Sequence, residues 1–288
     1  MKITDKVHKI KIPFSIPVAE GRELERFVNV YLITGKSLYL IDTGTSNAIP
    51  VITEYIKSIN RDLQELKTIY LTHAHPDHIG ALSLLKNKCN CGIYVHNEEK
   101  NWVEDIDRQY KERPVPGFYQ LVSGSSRVDF LYDNNKEINP EHGITLQVVH
   151  TPGHSDGSVS LLYKEENILF SGDAVILPGE MPIYTDVKKY IKSINKITAL
   201  DVQILLSSWD EPRYGTLVIE ILDLSRSYIR KIHDTVVNIY SEDRSVSPGI
   251  LCKRVLKKLG IPEFLVNPLL ENSVLAHIKY TEKDNSVL

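Results

Sequence analysis

Apolar runs of strand length alternate with stretches of helical spacing along most of the chain. Phe27 to Thr34 and Ser37 to Asp42 read as two β runs joined by the short turn Gly35-Lys36, a predicted hairpin. The segment before them, with Pro13, Pro17 and Gly21, reads as irregular chain or an edge strand leading over the mouth of a site. After Asp42, Gly44 permits a tight turn, and Ser46 or Asn47 can cap a helix reaching Ile59. Ile49, Ile52, Ile56 and Ile59 have the spacing that turns one helical face toward a sheet. A further apolar run, Ile69 to Leu71, breaks at Pro76 and restarts as a helix carrying Ile79, Leu82, Leu84 and Leu85.

Strands are predicted over 92–96, 145–150, 158–163, 167–171 and 202–206, with helices over Glu98–Glu112 and Val187–Thr198. The stretch 97–143 is the least regular, broken by Pro114, Pro116 and Gly117, and a loop of that size commonly lines a binding site. β runs interleaved with helices, twice over, suit an α+β fold of two mixed sheets packed face to face with helices outside. From Leu217 the pattern is helical only. Leu217–Tyr240 is amphipathic, Ser247-Pro248 and Asn267-Pro268 are helix starts, and Gly260 is a stop. The predicted division is a main domain over 1–216 and a helical extension over 217–288.

Composition narrows the classes. A formal net charge of −3 gives no electrostatic footprint for nucleic acid, and no run approaches the ~20 apolar residues that cross a membrane. Met1 to Ile12 has no signal-peptide core, and three cysteines make no disulfide framework, so a cytoplasmic protein with reduced thiols is expected.

The chemistry concentrates at Lys67–Gly80, where a strand hands over to a helix and His73, His75, Asp77 and His78 fall within six positions. Strand alternation places the two loop imidazoles on one side, whereas Asp77 and His78 diverge by about 100° around a helix. That suits two neighbouring metal sites better than one. Imidazoles with a carboxylate are the ligand set of zinc, or of iron or manganese.

His73-Ala74-His75-Pro76-Asp77-His78 after a strand resembles the signature of the metallo-β-lactamase fold superfamily. Further landmarks follow in the family's order: Leu40-Ile41-Asp42-Thr43-Gly44, Thr151-Pro152-Gly153-His154-Ser155 and Ser171-Gly172-Asp173-Ala174. The resemblance covers roughly residues 27 to 210 and implies an αββα sandwich. It implies that His73, His75 and His154 hold one metal, that Asp77 and His78 hold another, and that Asp173 bridges them. Asp42 matches a position that steadies a ligand histidine by hydrogen bonding. Three imidazoles with an open position form a catalytic-zinc arrangement that supplies hydroxide near neutral pH. Two divalent ions, zinc first, are therefore expected.

One landmark departs from the pattern. Family members carry a histidine after the last strand, where this chain reads Ser207-Ser208-Trp209-Asp210. An indole N–H is a donor only, so Trp209 cannot ligate. Asp210 is the chemically reasonable substitute, and without it the second site is weak. Tyr184, in the loop 178–184, is a candidate donor to the substrate, and the candidate catalytic pair is Asp77 and Tyr184. Leu275-Ala276-His277-Ile278 resembles a helix in the winged-helix-like extension of some hydrolases of the superfamily, although no basic recognition face accompanies it.

The reading is a metal-dependent hydrolase of a thioester, lactone or related ester, acting on a small molecule, with a homo-oligomer compatible. The alternatives are a mononuclear-iron oxidoreductase of the persulfide dioxygenase kind and a non-catalytic metal-binding sensor.

Overall fold

The computed structural model describes residues 1–17, 21, 23–133 and 136–283. The chain fills one six-stranded sheet and then the other. In the first, β1 (Val7–Pro17), β2 (Glu23–Thr34), β3 (Leu38–Ile41), β4 (Leu66–Tyr70), β5 (Gly92–Val95) and β6 (Phe130–Leu131) lie in sequence order. The β1–β2 and β2–β3 pairs are antiparallel, whereas β3, β4, β5 and β6 run parallel. The second sheet holds β7 (Glu137–Glu141), β8 (Ile144–His150), β9 (Val159–Tyr163), β10 (Ile168–Gly172), β11 (Ile204–Ser207) and β12 (Arg213–Tyr214), again in order. Only β10–β11 is parallel there.

Alternation along the strands separates three apolar layers. Tyr31, Ile33, Tyr39 and Ile41 point inward to meet Leu146, Leu161, Tyr163 and Phe170 of the opposite sheet. Their neighbours Val28, Val30, Leu32, Leu38 and Leu40 point outward, against Ile52 and Ile56 of α1 (Ala48–Ser58) and Leu82 and Leu85 of a helix further on. Between these two helices stands α2 (Pro76–Ile79), with its proline in the first turn; the helix further on is α3 (Leu82–Cys89). Outside the second sheet, Leu162 and Leu169 join a third cluster contributed by the helices that follow. The expected αββα sandwich is thus what the chain forms.

Of the two readings of the chain before Phe27, the edge strand holds for Val7–Pro17: β1 pairs with β2 continuously from Val7↔Ile33 to Pro17↔Glu23 and forms the sheet edge. One detail differs from the sequence pattern. The charged stretch 98–112 is two helices, α4 (Asn97–Glu104) and α5 (Ile106–Glu112), because Asp105 ends the first and caps the second by accepting from Arg108 N. A one-turn α6 (Phe118–Leu121) closes this excursion.

Helix α7 (Val187–Thr198) covers the second sheet over its predicted span, and α8 (Thr216–Glu242), α9 (Pro248–Leu259) and α10 (Pro268–Lys283) follow. Gly260 ends α9 with φ +78°, a left-handed conformation that a side chain would resist. These helices share one apolar cluster with α7: Tyr190, Ile194 and Ile197 lie with Ile229, Ile232, Leu256 and Val274. Among the described residues no helix is long and apolar enough to cross a membrane, and the three cysteines are free thiols.

Candidate metal centre

The parallel pairing of β3 with β4 brings the residue after β3, Asp42, beside the loop that leaves β4. Asp42 adopts φ +59°, which turns its carboxylate back under that loop. Its Oδ1 accepts from Thr72 N at 2.8 Å, and its Oδ2 accepts from Thr72 Oγ1 and from His78 Nδ1, each at 2.8 Å. These bonds fix two imidazoles. His78 donates from Nδ1, so its Nε2 presents a lone pair. The Thr72 hydroxyl gives its single proton to Asp42 and therefore accepts from His73 Nδ1, 3.0 Å away, leaving His73 Nε2 free to ligate. Gly80 lets α2 lie against the Asp42 turn: a β-carbon there would sit 2.2 Å from the Leu121 carbonyl oxygen.

His154 reaches the same point from the turn after β8. Its Nδ1 donates to the Ile183 carbonyl at 2.6 Å, and its Nε2 lies 2.7 Å from His75 Nδ1 and 3.2 Å from His73 Nε2. Burial holds His73 and His75 well below the ordinary imidazole range, helped by neighbouring positive charge, and lowers His154 as well. Three neutral nitrogens converging this closely are the donor set of a shared cation.

A second set adjoins it, formed by His73, His78 and Asp173. Asp173 follows β10, and its carboxylate spans the two sets: Oδ1 is 3.3 Å from His78 Nε2 and Oδ2 is 3.3 Å from His154 Nε2. Asp77 Oδ2 lies 3.5 Å from His78 Nε2. Burial alone would lower the pKa of His78, but the charges of Asp173, Asp77 and Asp42 outweigh it and raise it well above its ordinary value. Burial opposes ionisation of Asp173, yet the surrounding imidazoles hold it well below the carboxylate range. His78 Nε2 and Asp173 Oδ1 are buried without a hydrogen-bond partner. Two orphaned lone-pair atoms, an imidazole nitrogen and a carboxylate oxygen, facing one space, fit a divalent cation there.

Residues invisible to motif reading hold the frame. Glu99, buried in α4, accepts from Ala74 N and from Gly157 N, each at 2.9 Å, and so clamps the first metal loop to the third. Gln109 of α5 donates to the Ala74 carbonyl. Arg113, just past α5, lines the cavity with His75 and Asp77. All three lie in the charged stretch 98–113, where composition does not separate an inward face from a solvated one.

Two expected site residues lie elsewhere. Asp210 does not reach either donor set: its carboxylate is forked by Arg213, with Nε–Oδ2 at 2.6 Å and Nη2–Oδ1 at 2.9 Å. A carboxylate held bidentately by a guanidinium three residues on is turned away from the ligands. Trp209 does occupy the wall, lining the cavity shared with His154 and Asp173, with the Arg26 guanidinium 4.7 Å from its ring centre. Tyr184 is also not at the cavity. It is buried, its phenol hydrogen-bonds His277 Nε2 of α10, and burial raises its pKa well above the ordinary value. A phenol enclosed this way packs the extension and offers no donor to a substrate.

Two face-to-face mixed sheets whose strand ends carry adjoining histidine–carboxylate sets define a metal-binding αββα sandwich. The chain belongs to the metallo-beta-lactamase superfamily, whose sequence model matches residues 24–209. It is 28% identical over 229 residues to the lactamase-like protein aptB of Emericella nidulans, covering 77% of this chain and 62% of that protein. It is 34% identical over 152 residues to the "Probable metallo-hydrolase YqgX" of Bacillus subtilis, covering 52% of this chain and 66% of that one. The matched stretch therefore spans less than two thirds of either relative. A metallo-beta-lactamase family protein of Thermus thermophilus shares the fold over 99% of this chain and 95% of its own, with a TM-score of 0.77 at 19% identity. A beta-lactamase domain protein from Burkholderia ambifaria does so over 97% and 87%, with a TM-score of 0.74 at 17% identity. Both overlaps extend past residue 209 into the C-terminal helices.

Proposed function

We propose that the protein is a metal-dependent hydrolase that cleaves a thioester, lactone or related ester of a small molecule, with zinc as the resident ion. The observation that carries this reading is the pair of adjoining donor sets spanned by the Asp173 carboxylate. A divalent ion held by three neutral imidazoles supplies hydroxide at neutral pH and polarises an acyl carbonyl. The protein's own residues keep His73, His75 and His154 neutral by burial, orient His73 and His78 through Asp42 and Thr72, and hold the two loops together through Glu99. The cavity of about 430 Å³ that opens on His75, Asp77, His154 and Asp173 is large enough for a small acyl substrate. The relatives named as lactamase-like or metallo-hydrolase support the same class. The free thiols agree with a cytoplasmic setting.

Elemental analysis of the purified protein, paired with a thioester and lactone panel, tests the proposal. Zinc with turnover is expected, and His75→Ala should lose metal and nearly all activity while still folding. Full hydrolysis by metal-depleted His75→Ala protein would overturn it. Because neither Trp209 nor Asp210 adds a ligand to the second set, a single-ion centre is the second reading; one tightly held iron with oxygen uptake would mark the oxidoreductase.

A further inference from the structure

The cavity over the metal centre is mostly apolar. Phe14 and Ile16 of β1, Val115 and Leu121, and Leu265 and Leu269 from the C-terminal extension line it. Two cationic side chains line it, and they differ in kind. Arg26 is engaged: its guanidinium pairs with Glu180 at 3.2 and 3.1 Å and lies over Trp209. Arg113 is not. Among the described residues its side chain makes no hydrogen bond or ion pair, so its five N–H donors are unanswered.

Its position is fixed nonetheless. Arg113 N bonds Gln109 O at 2.8 Å, and the Gln109 side chain is tied to the Ala74 carbonyl between the first two metal histidines. The guanidinium is thus set beside His75 and Asp77 by the same frame that sets the ligands. Burial pushes its pKa down to about 10 against the pull of Asp77, Glu99 and Asp173, which leaves it cationic at neutral pH. None of those three carboxylates is free to pair with it. Asp77 and Asp173 face the donor sets, and Glu99 is occupied by Ala74 N and Gly157 N. A half-buried guanidinium without a partner is costly unless a ligand supplies the anion.

We infer that Arg113 anchors a carboxylate of the substrate, so that the preferred substrate is an apolar acyl compound carrying a free carboxylate near the bond that is cleaved. The inference rests on the hydrolase reading for the word "cleaved", though not for the binding itself. The planar fork of a guanidinium matches a carboxylate bidentately, and one such group balances one negative charge. No second unengaged cation lines the described part of the cavity to favour a doubly charged phosphate. The apolar walls take the remainder of the molecule.

The test uses the full-length, zinc-loaded protein with S-phenyl monothioesters of succinate and glutarate, each beside the analogue whose carboxylate is a carboxamide. The wild-type protein should favour the carboxylate member by about 30-fold in kcat/KM, mostly through KM, as expected for a charge-assisted pair. Arg113→Gln should shrink that ratio to within about threefold at unchanged zinc content, and Arg113→Lys should keep part of it. A wild-type ratio near one, a ratio that survives Arg113→Gln, or an equal loss for both members with loss of zinc would each overturn the assignment. If the wild-type protein turns over none of the four compounds, thioester cleavage falls while the anchor is still read by binding. Calorimetry with glutaranilate and its carboxamide then reads the anchor alone. Tighter binding of glutaranilate that Arg113→Gln abolishes would uphold it; equal binding of the two by wild-type protein would refute it.

Discussion

Asp42 sets two imidazoles with one carboxylate, directly for His78 and through Thr72 for His73. Its left-handed backbone is what aims the group, and loss of such a supporting partner typically lowers metal affinity 10–100-fold, as an order of magnitude. Asp42→Ala should therefore weaken zinc binding by roughly that factor, whereas Asp210→Ala should leave the number of bound ions unchanged, since Arg213 holds that carboxylate. Zinc titration of the two variants side by side checks both, and loss of one ion in Asp210→Ala would return Asp210 to the ligand set. The convergence of His73, His75 and His78 was legible in the sequence because donors contributed by one strand-to-helix turn are neighbours in the chain. Asp210 was misread for the complementary reason. Chain position says which residues are near the strand end, and not which way a side chain turns once an arginine three residues on competes for it. Glu99, Gln109 and Arg113 were hidden because inward-facing polar groups leave no mark in a stretch that is polar throughout.

At the scale of elements, α10 reaches back to the loop that steadies His154. Ser273 Oγ accepts from Tyr184 N, next to Ile183, whose carbonyl receives the His154 Nδ1 proton. Beside it His277 is enclosed by Tyr184 and by His233, whose Nδ1 is 3.3 Å from its own. Burial, with His233 adding to it, pushes the pKa of His277 down to about 3, against an ordinary value of 6.5. The folded protein thus keeps His277 neutral where the unfolded chain protonates it. Its neutral form carries no penalty above pH 6.5, and stability is lost progressively as the pH falls from 6.5 toward 3. The loss is on the order of a few kcal/mol in full. Melting temperatures between pH 7 and pH 4.5 should fall more steeply for wild-type protein than for His277→Gln, which keeps an acceptor for Tyr184. Parallel slopes would remove His277 as the cause. The helices themselves were legible from their apolar spacing and their proline and glycine ends. The short strands β6, β7 and β12 were not, since edge strands of two to five residues acquire strand geometry only from the neighbour they pair with.

Over the whole molecule, the helices after residue 216 and the outer face of the second sheet share one apolar cluster. Separate melting of sandwich and extension would expose that cluster on both sides, so one cooperative transition is expected. Trp102 and Trp209 both report on the sandwich, while far-ultraviolet circular dichroism is weighted toward the helices. Urea denaturation curves from the two probes should coincide, and an earlier dichroism transition would show an extension that folds on its own. The larger architecture was legible because two sheets and their covering helices follow from period alone. The sharing of a core across the expected boundary at 216 was not, since an amphipathic helix announces its apolar face and not the surface it will meet.

The inward-pointing lone pairs of His73, His75 and His154 carry a consequence beyond chemistry at the site. A fold that assembles nitrogens too close to be content with one another draws part of its free energy from whatever cation arrives, in proportion to the logarithm of that cation's free concentration. The standing amount of folded chain in a cell is then tied to metal nutrition. Under scarcity the margin of stability narrows as occupancy falls, so abundance as well as turnover registers the shortage.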